Sequence, residues 1–341
     1  MPQITLHDLA TKLNISVSTV SKALKGYSDV SEKTRKAVKE LAAELNFTPN
    51  IVASNLRTQQ TKTIGVIVPT IVHHFFSNVI NGIIKEAEKS GYMVILLQSN
   101  DDFELEKKQL DLLIKQQVDG ILISLTVETT NFEHLKNVQQ LGIPLVMYDK
   151  ISDGINCSKV LIDDKKAAYE AVAYLIRKGY KHIAYFGASL KAHNFSNRFL
   201  GYKQALEEFR IPFDDALIYI SENHDEYNHG YTSAEQLIKD HGLKNIDAVF
   251  AVTDVIAVGV SKFFNTHSIS IPQDIAIFGF SNWFMSTVVT PALTTVNQPN
   301  YELGQKAIEI LLQEIALSEA KKEVVPQKII LPTSLNIRES T

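Results

Sequence analysis

The sequence predicts a two-part fold: an all-α head over residues 1–48 and an α/β body over residues 63–341, built as two doubly wound parallel-sheet lobes. Three observations carry this. The first 48 residues hold three short apolar stripes at helical spacing. From Thr63 onward, short apolar runs alternate with amphipathic stretches, the pattern of parallel strands covered on both faces. Lys89-Ser90-Gly91-Tyr92 and Arg177-Lys178-Gly179-Tyr180 occupy equivalent helix-to-strand junctions, which points to two similar lobes.

In the head, Leu6, Leu9, Ala10 and Leu13 after Thr5 give a first helix, broken at Asn14-Ile15. Ser16 caps a second, with Val17, Val20, Ala23 and Leu24 inward, Ser18, Thr19, Ser21, Lys22 and Lys25 outward, and Gly26 ending it. A third begins at Ser31, helped by Glu32, and turns Val38, Leu41, Ala42 and Leu45 inward. Two short helices joined by a tight turn describe a helix-turn-helix unit. Hydroxyls and lysines on the second helix suit phosphate oxygens and a major groove. A three-helix module that binds protein would show the same spacing.

Charge supports the first of these. Residues 1–62 carry nine Lys/Arg against five Asp/Glu, a net of +4, leaving −8 for the rest of a chain whose total is −4. A basic head on an acidic body assigns the polyanion to the head. The 341 residues allow two or three domains, and 45% apolar with 21% charged residues is ordinary for a globular protein. A lone Cys157 excludes an internal disulfide framework and fits a reducing cytoplasm. The first residues lack a signal peptide's basic and apolar regions. No apolar run approaches the roughly 18 residues of a membrane span.

Between head and body lies Pro49 to Arg57, Pro-Asn-Ile-Val-Ala-Ser-Asn-Leu-Arg. Proline suits a first helical position and Asn50 can cap it. A helix this short is largely unfolded alone in water. The stretch, within a 49–62 connector, reads as a hinge that folds on DNA; an ordinary interdomain linker is the alternative.

Thr5-Leu6-His7-Asp8-Leu9-Ala10, Ile15 to Gly26, Val30-Ser31-Glu32-Lys33-Thr34-Arg35 and Leu45 to Asn50 together resemble the head of the lactose/galactose-repressor (LacI/GalR) family of bacterial transcription regulators. The resemblance implies that the helix from Ser16 is the recognition helix. Val17, Ser18 and Lys22 then face base edges; Thr5, Leu6, Ser16, Thr19, Ser21, Lys25, Ser31 and Thr34 lie along the DNA contact. Arginine is more usual in the family where Lys22 stands, and lysine lacks its planar fork. The resemblance also implies that the hinge, with Asn50, Ala53, Leu56 and Arg57, folds in the minor groove beside its twin, Leu56 opening the central base step. Paired hinges imply a homodimer on a palindromic operator.

In the body, strands are expected at Thr63–Val68, Met93–Gln98, Gly120–Ser124, Pro144–Tyr148, Val160–Ile162, Ile183–Phe186, Leu217–Ile220, Ala248–Val252 and Ile275–Phe280. Helices are expected at Phe75–Ser90, Phe103–Gln116, Thr130–Leu141, Lys165–Lys178, Ser196–Phe209, Gly230–Lys239 and Val255–Asn265. Doubly wound sheets bind ligands beyond the carboxyl ends of their strands. Aromatic faces there come from Phe75, Phe76 and Trp283, and hydroxyl-bonding groups from Asp149, Arg198, Asp254, Ser281 and Asn282. Alternatives stay open: the phenylalanines as core, Asp254 as a helix cap, Arg198 as a surface residue.

Further segments extend the resemblance over nearly the whole chain, among them Thr61 to Pro69, Gly142 to Asp149, Asn197 to Tyr202, Pro272 to Asn282 and Thr290 to Pro299. It implies a body similar to type I periplasmic sugar-binding proteins. The first lobe would span about 63–161 and 291–322, the second about 162–290 and 323–341. A small effector, a sugar or sugar phosphate, would lie between them. By position Asp149, Arg198, Thr253 and Ser281 fall where effectors are held. An acid is usual where Ser281 stands and asparagine where Thr253 stands, so the ligand differs from a plain hexose or Asn282 compensates. Arg198 leaves room for an acidic ligand.

Val79, Ile80, Ile83, Ile84 and Ala87 on the helix from Phe75 exceed what one sheet face needs, which suggests a dimer face or a fully buried helix. With no leucine heptad tail, a dimer rather than a tetramer is expected. An enzyme is not: neither G-x-G-x-x-G, a Walker loop nor G-x-S-x-G is present. No cofactor is expected, and the adjacent His73 and His74 make a weak metal signal. The expectation is thus a cytoplasmic, ligand-responsive repressor of carbohydrate-use genes. A sugar-binding transport protein is the alternative, one that would have no use for the head.

Overall fold

The computed structural model describes residues 4–47, 60–222 and 225–341, and the chain divides into two units between Thr61 and Lys62. Among the described residues of the first unit, three helices follow one another: α1 (Leu6–Leu13), α2 (Val17–Leu24) and α3 (Glu32–Glu44). Each starts where a side chain satisfies an orphan amide. Thr5 and Asp8 bond reciprocally at α1: the Asp8 amide donates to Thr5 Oγ1 and the Thr5 amide to Asp8 Oδ2 at 2.8 Å. Ser16 accepts from the Thr19 amide at 3.1 Å and Ser31 from that of Thr34 at 3.2 Å. Leu9, Val20, Ala23 and Val38 form the centre of the small core. Val17 departs from expectation and is 40% exposed. Val20 and Ala23 take the inward positions of this two-turn helix, and Val17 stands in its first turn outside them.

The second unit begins β1 (Thr63–Val68), α4 (His74–Lys89), β2 (Met93–Gln98), α5 (Phe103–Lys115), β3 (Gly120–Ile123), α6 (Glu133–Gln140), β4 (Leu145–Tyr148) and β5 (Ser158–Ile162). It continues α7 (Asp164–Arg177), β6 (Ile183–Ala188), α8 (His193–Glu208), β7 (Ile218–Ser221), α9 (Glu226–His241), β8 (Ala248–Ala251), α10 (Asp254–Thr266) and β9 (Ala276–Phe280). Then follow α11 (Met285–Val288), β10 (Thr294–Asn297), α12 (Asn300–Glu319), β11 (Lys328–Leu331) and β12 (Ser334–Asn336). Two six-stranded sheets result, in the orders β11-β5-β4-β3-β1-β2 and β12-β10-β9-β8-β6-β7. All pairings are parallel except β10 with β12. The central strands are buried along their length, as strands covered on both faces must be.

The expected lobe segments need correcting at the C-terminal end. β10, assigned above to the first lobe, pairs with β9 of the second sheet, Thr294 opposite Phe278. β11, assigned to the second, pairs with β5 of the first sheet, Ile329 opposite Val160. The chain therefore passes between the sheets three times, after β5, β10 and β11. Strand partners this far apart in sequence leave no trace in a local apolar pattern.

The surplus apolar side chains of α4 are also explained within the chain. Val79, Ile80, Ile83 and Ala87 are buried, and Ile84 is partly so, in one cluster with Leu303, Ala307, Ile308 and Leu311 of α12. The two helices meet backbone to backbone: a Cβ on Gly304 would lie 2.1 Å from the Val79 carbonyl oxygen, and one on Gly82 2.2 Å from that of Tyr301. Only glycine permits that approach.

Candidate functional site

Two surfaces carry the candidate residues, one in each unit. In the head, Ser16, Val17, Ser18, Lys22 and Lys25 are exposed on α2, while Thr19 and Ser21 are half-buried. The Ser16 hydroxyl lies 2.7 Å from that of Ser18 and 2.8 Å from that of Thr19. The Ser31 hydroxyl lies 2.8 Å from that of Thr34. Thr5 and Ser31 are exposed next to the caps they make; Leu6 and Thr34 are half-buried. Lys22 is ion-paired with Asp29, from the loop between α2 and α3, and the pairing raises the ammonium pKa and lowers the carboxylate's. Asn50, Ala53, Leu56 and Arg57 lie outside the described residues.

In the body, a cavity of about 510 Å³ opens at the carboxyl ends of β1 to β4 and β6 to β10. Phe75, Phe76, Asp149, Arg198, Thr253 and Ser281 line it, as does Trp283. Asp149, Thr253, Ser281 and Trp283 follow their strands directly, while Phe75 and Phe76 come from the first turn of α4 and Arg198 from the second turn of α8. Asp149 follows β4 in the left-handed region at φ 58°. It is buried, and its carboxyl is pushed up to about 7, chiefly by desolvation, with the nearby Asp164 adding to the rise and Arg198, Lys150 and an Asn194 hydrogen bond opposing it. Arg198 is not a surface residue. Its Nε donates to Asp164 Oδ1 at 2.8 Å and an Nη to the Val252 carbonyl at 2.7 Å, and the guanidinium lies 3.7 Å from the centre of the Phe280 ring. Thr253 caps α10 and donates its hydroxyl to Glu226 Oε2 at 2.5 Å.

Two expected residues are spent elsewhere and do not line the cavity. Asp254 accepts from the Thr295 hydroxyl and from the Trp283 amide, both at 2.6 Å, and its burial raises the carboxyl to about 6. It shapes the turn from below. Asn282 donates to Asn297 Oδ1 at 2.8 Å and accepts from Arg338 at 2.6 Å, so its amide ties the turn to β10 and the C-terminal segment. It therefore does not replace the missing acid at Ser281. The turn itself takes two successive positive φ values, 121° at Ser281 and 52° at Asn282, which carry Trp283 over the cavity.

The strand ends named by the sequence reading include His73, His74 and Lys150, to which it gave no ligand contact, and it missed Glu226 and Gln298; all five line the cavity. α8 and α9 each begin one turn earlier than expected, at His193 and Glu226, and this adds Asn194 and Glu226 to the cavity. The usable signal was Asp225, which caps α9 by accepting from the Asn228 amide. Glu226 Oε2 sits 4.0 Å from His73 Nε2, and the His74 ring lies 5.7 Å from that of Trp283, so two contacts join the lobes over the cavity. Burial lowers both imidazoles, His74 to about 4. Lys150 bonds both Asp101 oxygens, at 2.9 and 3.1 Å. Gln298 is 5% exposed, and its Nε2 has no hydrogen-bond partner among the described residues.

Comparison with known proteins matches both units. Residues 5–50 match the family described as bacterial regulatory proteins, lacI family. Residues 61–339 match periplasmic binding proteins and sugar binding domain of LacI family. The chain is 33% identical to catabolite control protein A of Priestia megaterium over 340 residues, 99% of each chain. It is 33% identical to the ribose operon repressor of Haemophilus influenzae over 311 residues, 91% of this chain and 92% of that one. Its structure is similar to that of the lac repressor dimer bound to operator and the anti-inducer ONPF, with a TM-score of 0.87, 25% identity and 99% of each chain covered.

Proposed function

Since this chain belongs to the lacI family of bacterial regulatory proteins and is a DNA-binding transcription regulator rather than an enzyme, we propose that it is a cytoplasmic homodimeric repressor of carbohydrate-use genes whose effector occupies the body's cavity. The head over 1–48 reads a palindromic operator through α2. Residues 49–62, with Leu56 as the minor-groove wedge, link it to the body. The observation that carries the effector reading is the placement of one cavity at the carboxyl ends of nine strands drawn from both sheets. A ligand there touches both lobes and shifts their equilibrium. DNA and effector are then coupled reciprocally through the hinge.

Phe75, Phe76 and Trp283 supply apolar faces, while Asp149, Arg198, Thr253 and Ser281 supply polar contacts. The charge balance favours an uncharged polyhydroxyl ligand over a sugar phosphate. Among the described lining residues, the carboxylates Asp101, Glu222, Asp225 and Glu226 face two cations, Lys150 and Arg198, while Asp149 keeps its proton to about pH 7. Both cations already hold ion pairs, Lys150 with the half-buried Asp101 and Arg198 with the buried Asp164. Carboxylates accept from sugar hydroxyls, and the Gln298 amide asks for an acceptor oxygen in return.

Selection of random duplexes at fixed salt, with and without neutral sugars and their phosphates, tests this. A palindrome whose affinity shifts with a neutral sugar is expected. Response to a phosphorylated sugar alone overturns the ligand class, and the absence of any selected sequence overturns the operator reading.

A further inference from the structure

The recognition helix carries a lysine already held by a carboxylate. Lys22 and Asp29 are ion-paired, each about half exposed on the head's surface. The lysine is the mobile partner. Asp29 stands in a loop fixed on both sides: Arg35 donates to the Tyr27 and Val30 carbonyls at 3.0 and 3.2 Å, the Tyr27 amide donates to the Lys22 carbonyl at 3.1 Å, and Val30 is buried in the core. The carboxylate is therefore a fixed post, and the flexible four-carbon stem of Lys22 comes to it.

A lone acid on a surface that meets DNA is costly unless it finds a donor there. In the major groove the cytosine amino group is such a donor, and the edge of a G·C pair presents two acceptors, guanine N7 and O6, followed by that amino group. An ammonium has three N–H donors. With one spent on Asp29, two remain for N7 and O6, and a carboxylate oxygen beside them can accept from the cytosine amino group. Resting on the reading of α2 as the operator-reading helix, we infer that Asp29 is a positioning and specificity-determining residue: the Lys22–Asp29 pair reads one G·C base pair in each half-site as a single donor–donor–acceptor unit. The held ammonium then does what arginine's planar fork does unaided. On an A·T edge the second lysine donor would meet the adenine amino group, so the unit discriminates.

The test compares wild type, Asp29→Asn, Lys22→Arg and the double variant, full-length, by random-duplex selection and by affinity for non-specific duplex across a salt series. Wild type should select G·C at one position per half-site. Asp29→Asn should lower that preference roughly tenfold, leaving other positions unchanged. It should also strengthen non-specific binding and steepen its salt dependence by about 0.9, because a neutral pair becomes a net cation. In the Lys22→Arg background the same Asp29→Asn change should cost little discrimination, since the guanidinium orients itself. Thermal unfolding of Asp29→Asn should match wild type, as Val30 and Arg35 hold the loop. A uniform loss at every operator position, an unchanged preference at the G·C position, or equal losses in both backgrounds would overturn the inference while leaving the operator reading intact. A wild type that selects no sequence would overturn both.

Discussion

Replacing Arg198 by methionine should cost the body far more than a ligand contact. The guanidinium and the Asp164 carboxylate are bonded at 2.8 Å with side chains only 4% and 3% exposed. Removing one partner of such a pair strands the other charge without solvent, which typically costs about 3–5 kcal/mol. The upper part of that range is expected here, because the contact with the Phe280 ring at 3.7 Å is lost as well, and a desolvated cation over an aromatic face is worth about 2 kcal/mol. Replacing both partners, Arg198→Met with Asp164→Asn, removes the stranded charge and should fall within about 1–2 kcal/mol of wild type. Guanidinium unfolding at pH 7 followed by the fluorescence of Trp283 reports this, since it is the chain's single tryptophan and lines the cavity. The reasoning fails if the single variant loses less than about 1 kcal/mol, or if the double is no more stable than the single. The comparison also bears on function. A lost effector response in an Arg198 variant identifies a ligand contact only when the Asp164-compensated variant loses it too.

Two further outcomes follow from the buried titratable groups. Asp149 keeps its proton to about pH 7 in the folded chain, against an unfolded value near 3.8, so the unfolded state binds fewer protons across that interval and stability falls as pH rises through it. Asp149→Asn should therefore gain on wild type steadily from about pH 4 to 7, by a total on the order of 4 kcal/mol, then hold level; a pH-independent difference between the two in a denaturation series would refute the buried proton. At the lobe contact, burial lowers the His73 imidazole and Glu226 partly restores it. Glu226→Gln should push His73 lower still in an imidazole NMR titration, and an unchanged or higher value would show that the two lobes do not meet there.

What the sequence determined by itself is what depends on neighbours a few residues away. Thr5, Ser16 and Ser31 could be read as helix starts because a cap bonds an amide two or three positions on. β1, β3 to β6, β8 and β9 were visible because a strand buried on both faces is a continuous apolar run, and the half-buried edge strands β2 and β7 because they too are apolar runs between helical patterns. Phe75, Phe76, Trp283, Asp149, Arg198 and Ser281 were found together because parallel strands all point their carboxyl ends to one side of a sheet, so a strand's end marks a place in the fold, while Thr253 came from the family resemblance. The tertiary structure alone decided the rest. It exchanged β10 and β11 between the lobes and covered α4 with α12, through pairings between segments far apart in the chain. It turned Asp254 and Asn282 away from the cavity, to Thr295 and Asn297, and brought His73 to Glu226. It also decided that Arg198 arrives already paired, with Asp164. A side chain's type sets which bonds it can make. Which of them it makes is settled by what folding brings within about 3 Å of it, and that distance is written nowhere in the local pattern.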